Sequence, residues 1–137
     1  MSFNAYLFYS GTCKEAFTRY QSIFGGELFV MTNADAPDGG MPGASPDMVI
    51  HAALTLDNGG LLMASDDPGG DGSGTKGVSV SYTAPDTGEA KRVFDALAEG
   101  GEVTGPLQET FFSPMFGTCT DKWGVAWMVN TFAPDQG

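Results

Sequence analysis

The sequence is poor in the residues that build metal centres and bind polyanions. It has one histidine, His51, two cysteines, and only six lysines and arginines among 137 residues. The 17 aspartates and glutamates bring the net charge to −11, and such a surface repels the phosphates of nucleic acids and anionic lipids. We therefore expect no nucleic-acid and no membrane partner, although a small-molecule pocket can differ from the average surface.

No secretory leader is expected, and long apolar stretches are also lacking. The first residues contain no basic segment followed by an apolar run, and no stretch approaches the length that spans a bilayer. Cys13 and Cys119 are then expected to be reduced thiols rather than a disulfide. These features predict a cytoplasmic protein, and hydrophobic residues make up 42% of it, enough for one folded domain without a structural metal.

The first half of the chain reads as a strand, a helix and three further strands. Residues 3–9 are rich in β-formers, and Thr12 with Glu15 predicts a capping box at the start of a helix. Gly25-Gly26 predicts its end, because glycine adopts the left-handed conformation common there. Strands are predicted over residues 27–32, 48–56 and 61–65, with a loop at 34–47. The apolar stripe of the helix comprises Cys13, Ala16, Phe17, Tyr20, Ile23 and Phe24.

The second half repeats this plan. A strand at 78–82 precedes a second capping box, Asp86 with Glu89, and a helix that ends at Gly100-Gly101. Strands follow at 102–104, 111–118 and 125–132. Its apolar stripe comprises Ala90, Val93, Phe94, Leu97 and Ala98. Because matching motifs occur in the same order in both halves, duplication is the better explanation, with modules at about 1–67 and 77–133.

Short motifs along nearly the whole chain resemble the PhnB-like branch of the vicinal-oxygen-chelate superfamily, the glyoxalase/bleomycin-resistance/dioxygenase group. They are Tyr6-Leu7-Phe8, Glu15-Ala16, residues 23–27 (Ile-Phe-Gly-Gly-Glu), His51-Ala52, residues 62–66 (Leu-Met-Ala-Ser-Asp), Gly100-Gly101, Thr110-Phe111-Phe112, Phe116-Gly117 and residues 121–127 (Asp-x-x-Gly-Val-x-Trp). The resemblance implies a single α+β domain over 1–137, built from two βαβββ modules. Its strands would form an incomplete curved β-barrel around a cleft, with the helices outside. It also implies a homodimer.

In enzymes of this superfamily the resemblance implies a divalent metal, bound by the first and last strands of each module. The corresponding windows are residues 3–6, 63–65, 78–80 and 127–129, which read Phe-Asn-Ala-Tyr, Met-Ala-Ser, Val-Ser-Val and Trp-Met-Val. None contains the histidine or carboxylate ligands that zinc, nickel, manganese or iron prefer. We therefore predict no metal and no other cofactor, with a divalent metal as the alternative.

His51 lies on the predicted strand 48–56 and has three possible roles. Alternation assigns one face of this strand to the core, namely Met48, Ile50, Ala52, Leu54 and Leu56. His51 then shares the other face with Val49, Ala53 and Thr55. It could be a hydrogen-bonded structural histidine, a pocket residue acting as hydrogen-bond partner or acid/base, or, least favoured, a metal ligand.

Other reactive residues have structural explanations. Asp66 and Asp67 are adjacent on the chain and so face opposite sides of a strand, which favours turn capping over paired catalysis. The glycine-rich stretch from 68 to 74 lacks the Gly-Lys-Ser/Thr ending of a phosphate loop and reads as a connection. Cys119 is expected to be a small buried thiol.

The sequence thus predicts a PhnB-like protein of unidentified specific activity that binds a small molecule in its cleft, which the 34–47 loop would close. No catalytic residue is assigned. The alternative is a divalent-metal-dependent enzyme of the glyoxalase, lyase or dioxygenase type. Methyltransferase activity is not expected, because no glycine-rich loop joins a strand to a helix as nucleotide-type cofactors require. The residues expected to line the pocket are Tyr6, His51, Met63, Ser65, Phe112 and Trp127.

Overall fold

A computed structural model of the chain has two compact units, residues 1–73 and 74–137, here the N-terminal and C-terminal units. The residues described are 3–36, 40, 44–67, 69, 74–110 and 115–131. Each unit contains one long helix and a four-stranded mixed sheet. The predicted α+β fold of two βαβββ modules is therefore confirmed.

The N-terminal unit follows the predicted element order closely. Its elements are β1 (Ala5–Tyr9), α1 (Cys13–Phe24), β2 (Glu27–Thr32), β3 (Val49–Thr55) and β4 (Leu61–Asp66), with a short 3-10 turn at Asn33–Asp35. The strand order is β1-β4-β3-β2. β1 runs parallel to β4, and the other two pairs are antiparallel. β1 can be parallel to β4 because α1 connects β1, at one edge of the sheet, to β2 at the opposite edge.

The C-terminal unit has the same topology. Its elements are β5 (Val80–Ala84), α2 (Thr87–Ala98), β6 (Glu102–Gln108), β7 (Met115–Thr120) and β8 (Ala126–Thr131), in sheet order β5-β8-β7-β6. β5 begins two residues later than predicted, and β6 is four residues longer. Residues 111–114 of the predicted strand 111–118 lie outside the described residues.

Each helix buries its predicted stripe except for the last residue, since Phe24 and Ala98 are half-buried. In α1 the buried residues are Cys13, Ala16, Phe17, Tyr20 and Ile23, and in α2 they are Ala90, Val93, Phe94 and Leu97. The Tyr20 and Tyr9 hydroxyls lie 2.9 Å apart and join α1 to β1 inside the core. In the part of the chain that the structure describes, no helix is long and apolar enough to cross a membrane.

The predicted capping box at α1 is wrong. The Thr12 side chain makes no capping hydrogen bond, and its backbone (φ −115°, ψ 13°) is not extended as a capping box requires. Asp66, at the end of β4, takes its place. Its Oδ1 accepts hydrogen bonds from the backbone N–H groups of Gly11 (3.1 Å) and Cys13 (3.0 Å). The helix is therefore capped by a residue 53 positions away in the chain.

At α2 the predicted cap forms in part. The Asp86 side chain accepts from the Glu89 N–H at 2.7 Å, so Asp86 is the N-cap as expected. The Glu89 carboxylate pairs instead with the Arg92 guanidinium one turn later. This exposed i,i+3 pair contributes only a few tenths of a kcal/mol.

A β-bulge in β3 corrects the predicted faces of this strand. Met31 pairs with His51 and Thr32 with Val49, so Ile50 is an extra residue in the ladder. The alternation shifts there, and Val49 is 1% exposed rather than on the face of His51. Its N–H donates to Asp66 Oδ2 at 3.0 Å. Ile50, predicted to lie in the core, is half-buried.

Both cysteines are free thiols buried in the core, as predicted. Burial raises the pKa of Cys13 from 9.0 to about 12, and the Asp66 carboxylate adds to the rise. Burial also raises the pKa of Cys119 to about 11, with Asp121 contributing. Each thiol therefore keeps its proton in the folded state at a pH where it ionises in the unfolded chain.

Two results are expected from these thiols. At pH 8, where fewer than about one thiol in a hundred is ionised in the native protein, a disulfide reagent should react slowly, and with both thiols after denaturation. Because the folded state binds more protons above the pKa of unfolded cysteine, stability should fall as pH rises from about 9 towards about 12. Absorbance of the released thiolate and urea titrations measure the two effects. Fast labelling of the native protein at pH 8 would contradict this assignment.

Candidate functional site

The N-terminal sheet has a helix-facing side and an outer face that points away from α1. Leu7, Ala52, Leu54 and Ala64 are buried on the helix side. The outer face carries a row formed by neighbouring strands, because Tyr6 pairs with Met63, Met63 with Ala53 and Ala53 with Phe29. The other outer-face residues of the described strands are Phe8, Glu27, Met31, His51, Thr55, Leu61 and Ser65.

Four rings on this outer face form an aromatic cluster, defined here as Tyr6, Phe8, Phe29 and His51. The ring centroids of Tyr6 and Phe8 are 5.2 Å apart, those of Tyr6 and His51 are 6.0 Å apart, and those of Phe29 and His51 are 6.4 Å apart. Tyr6, Phe8 and Phe29 are nevertheless 39%, 63% and 50% exposed. The rings of the cluster thus pack against one another along the sheet, while their sides that point away from the sheet are exposed to solvent.

His51 and Tyr6 are the polar members of the cluster. The Tyr6 hydroxyl lies 3.5 Å from His51 Nδ1, which is longer than a well-formed hydrogen bond. Neither side chain has another hydrogen-bond partner among the residues that the structure describes. Both therefore keep most of their hydrogen-bonding capacity for an added molecule.

The structure brings together four of the six predicted pocket residues. Tyr6, His51, Met63 and Ser65 all lie on the outer face, with Met63 half-buried and Ser65 8% exposed. Sequence reasoning missed Phe8 and Phe29. A usable signal was present for Phe8, since residues i and i+2 of a strand share a face and Tyr6 was already assigned. Phe112 lies outside the described residues, as does part of the 34–47 loop that was predicted to close the pocket.

Trp127, the sixth residue, is placed differently. It is 2% exposed on the helix-facing side of the C-terminal sheet, next to buried Val129 in alternation. Its indole N–H donates to Asp121 Oδ2 at 2.9 Å. Asp121 Oδ1 accepts from the N–H groups of Trp123 and Val125, also at 2.9 Å. Trp127 is therefore a core residue that anchors the β7–β8 turn through Asp121.

The outer-face positions of the first and last strands of each module do not fit the metal centre that the superfamily implies. In the N-terminal unit they are Tyr6, Phe8, Met63 and Ser65, and in the C-terminal unit they are Ser81, Thr83, Met128 and Asn130. These hydroxyl, thioether and amide groups are poor ligands for zinc, nickel, manganese or iron. Within the described ranges, no group of three or more His, Cys, Asp or Glu side chains is arranged to hold a metal ion.

A depression of about 350 Å³ lies where β1 leads into α1, and it contains three carboxylates. Both oxygens of Asp66 are already bonded to backbone N–H groups. Asp67 accepts from the Gly69 N–H at 2.9 Å in a turn. The predicted turn capping is thus confirmed for Asp67, whereas Asp66 instead caps the start of α1 and binds the backbone of β3. The lining residues are Ser10, Gly11, Ala44, Ser45, Asp47, Met48, Asp66 and Asp67.

Comparison with known proteins gives relatives of nearly the same length. Protein YjdN of Escherichia coli K12 is 32% identical over 95% of this chain and 95% of its own. The crystal structure of PA1353 from Pseudomonas aeruginosa is 42% identical, covers 96% of this chain and 98% of its own, and superposes with a TM-score of 0.86. The PhnB protein from Bacillus cereus is 28% identical over 96% of this chain and 99% of its own, with a TM-score of 0.75.

The fold is shared more widely. A glyoxylase/bleomycin resistance protein/dioxygenase domain from Frankia is 15% identical over 97% of this chain and 98% of its own, with a TM-score of 0.65. At this identity the likeness concerns the fold alone. Residues 1–130 match the family model described as 3-demethylubiquinone-9 3-methyltransferase. The chain therefore belongs to this family, whose description the PhnB protein from Bacillus cereus shares, and it has the same fold as the glyoxylase/bleomycin resistance protein/dioxygenase domain.

Proposed function

We propose that this protein binds a small molecule on the outer face of its N-terminal sheet, with the aromatic cluster as the contact surface. The observation that carries the proposal is the exposure of Tyr6, Phe8 and Phe29 around a histidine of the same face. Exposed aromatic side chains that adjoin one another mark binding surfaces more often than isolated apolar residues do. A few polar groups within an apolar surface are also typical of small-molecule sites.

We propose no metal and no catalytic residue at this surface, because the outer-face donors do not fit the usual metal. We also propose no methyltransferase activity, although the family description names it. The β1–α1 connection, Ser10-Gly11-Thr12, has one glycine where the dinucleotide-type fingerprint has several. A homodimer and closure of the sheets around a cleft remain predictions from the family resemblance.

Ligand screening by thermal shift tests this proposal. A compound that binds the native state at a hundred times its Kd stabilises it by about 2.7 kcal/mol, which raises the Tm by roughly 5–10 °C in a domain of this size. We expect this rise to disappear in His51→Ala and Phe29→Ala. Val103→Ala is the matched control, because Val103 is 48% exposed in the C-terminal unit and should leave the rise unchanged.

Metal analysis of the purified protein separates the proposal from the metal-dependent alternative. We expect less than stoichiometric zinc, nickel, manganese and iron, and no change in Tm on addition of a chelator. A stoichiometric divalent ion that is lost in His51→Ala would establish the alternative. If Val103→Ala also loses the ligand-induced rise in Tm, the loss is not specific to the aromatic cluster, and this surface is not supported as the binding site.

A further inference from the structure

The geometry of the aromatic cluster allows contact with a flat ring. Its rings are tilted relative to their neighbours by 45° (Tyr6 and Phe8), 31° (Tyr6 and His51) and 52° (Phe29 and His51). These rings follow one sheet surface and do not close into a box. An added planar ring can pack against them in the offset or edge-to-face arrangements that aromatic pairs prefer.

The charge of the outer face argues against an anionic ligand. No lysine or arginine lies on this face of the described strands, and its one carboxylate is Glu27, which pairs with Thr55 beside the Phe29 row. A carboxylate or phosphate would therefore lose water without gaining a cationic partner.

A quaternary ammonium would leave the polar groups of the cluster unused. The imidazole lies between the rings of Tyr6 and Phe29, so a ligand over the cluster centre contacts this nitrogen-bearing ring as well as the two flanking rings. A quaternary ammonium cannot use the free hydrogen-bonding capacity of His51 and Tyr6. An uncharged amide, hydroxyl or carbonyl group can use both.

We propose that the ligand is an uncharged, planar aromatic molecule that carries one hydrogen-bonding substituent. This inference rests on the proposed binding function and names the ligand class for that same surface. The aromatic ring packs on the cluster, and its substituent hydrogen-bonds to His51 or to the Tyr6 hydroxyl. The long 3.5 Å contact between these two groups shortens or is bridged when the substituent binds.

Four small probes test the ligand class. Benzamide has the proposed features, benzoate adds a negative charge, cyclohexanecarboxamide replaces the aromatic ring, and benzyltrimethylammonium replaces the polar group by a cation. Each is titrated into the full chain with labelled methionine methyl groups, and the Met63 signal is followed by NMR. Met63 is the register partner of Tyr6, and its signal is assigned with Met63→Leu. Titrations are repeated at about 1 M salt, where the Debye length is about 3 Å.

We expect benzamide to bind about three- to tenfold more tightly than cyclohexanecarboxamide, in line with the usual size of aromatic pair contributions. It should also bind more tightly than benzoate, whose charge loses water without a cationic partner, and than benzyltrimethylammonium, which cannot hydrogen-bond to His51 or Tyr6. The preference over benzoate should persist at high salt. Phe29→Ala should reduce the preference for the aromatic ring, and Val103→Ala should leave all four affinities unchanged.

The possible failures are distinguishable. Equal affinities for benzamide and cyclohexanecarboxamide, or tighter binding of benzoate or the ammonium compound, would overturn the ligand class. The proposed binding surface would still stand in those cases, provided that Met63 shifts and His51→Ala abolishes the shift. Absence of any Met63 shift with all four probes would count against both the ligand class and the surface.

Discussion

Replacement of Asp66 by alanine is expected to lower the free energy of unfolding by about 3–5 kcal/mol, because three buried or half-buried backbone N–H groups lose their acceptor. These are the N–H groups of Gly11, Cys13 and Val49, at 3.0–3.1 Å from the carboxylate oxygens. The loss is a large share of the 5–15 kcal/mol that stabilises an ordinary domain. Urea unfolding followed by circular dichroism measures it.

Asp67→Ala is the matched control for this prediction. Asp67 is the next residue and is half-buried, but its side chain accepts from one turn N–H, that of Gly69. We expect a loss of about 1 kcal/mol or less. Asp66→Asn should also be strongly destabilising, because one amide position must present a donor to a backbone N–H. If Asp66→Ala costs no more than Asp67→Ala, the carboxylate does not hold the helix, β3 and β4 together.

Gly26→Ala is expected to cost about 3–5 kcal/mol, from a steric clash together with a left-handed backbone. A Cβ at Gly26 would overlap the carbonyl oxygen of Thr55 and lie 3.1 Å from Leu56 Cα, and the φ of Gly26 is +89°. Both obstacles are backbone atoms of the end of β3, which a side-chain rotation cannot relieve. Thermal and urea unfolding measure the loss.

The neighbouring glycine and the second module provide the controls. Gly25 has a φ of +75° and a ψ of −158°, but a Cβ there has no neighbour within 4 Å, so Gly25→Ala should cost about 1–3 kcal/mol from conformation alone. A Cβ at Gly101 would overlap the Thr120 carbonyl oxygen and lie 2.7 Å from the Asp121 carbonyl carbon. Gly101→Ala should therefore cost about 2–4 kcal/mol from the clash. Equal effects of Gly25→Ala and Gly26→Ala would show that the close approach is unimportant.

Gly26 and Gly101 show what the comparison of the two halves of the sequence could predict and what it could not. The repeated Gly-Gly-Glu after each helix was interpreted as a helix end, and the structure shows a further role for the second glycine in both modules. In each case it passes close to the strand that packs beside it. Local spacing predicted the helix and its end, but the approach of a distant strand leaves no trace in local spacing.

The candidate site was predictable in part for the same reason. Alternation along a strand placed His51 on a different face from Leu54, and the family resemblance pointed to Tyr6 and Met63. The faces of Val49 and Ile50 were predicted wrongly, because a bulge interrupts alternation and depends on how β2 and β3 pair. Phe29 belongs to the cluster because the register of β2 against β3 places it on the same face as His51, and the sequence does not give that register.

The sequence by itself determined the element order, most of the buried helix stripes and the repeated βαβββ plan, since these depend on apolar spacing and glycine positions within short segments. Only the tertiary structure decided that Asp66 caps α1, that Trp127 belongs to the core and that four rings adjoin on one open face. Each of these features depends on contacts between residues far apart in the chain. Strand register sets those contacts, and a shift of one residue in register would move every side chain of a strand to the opposite face of the sheet.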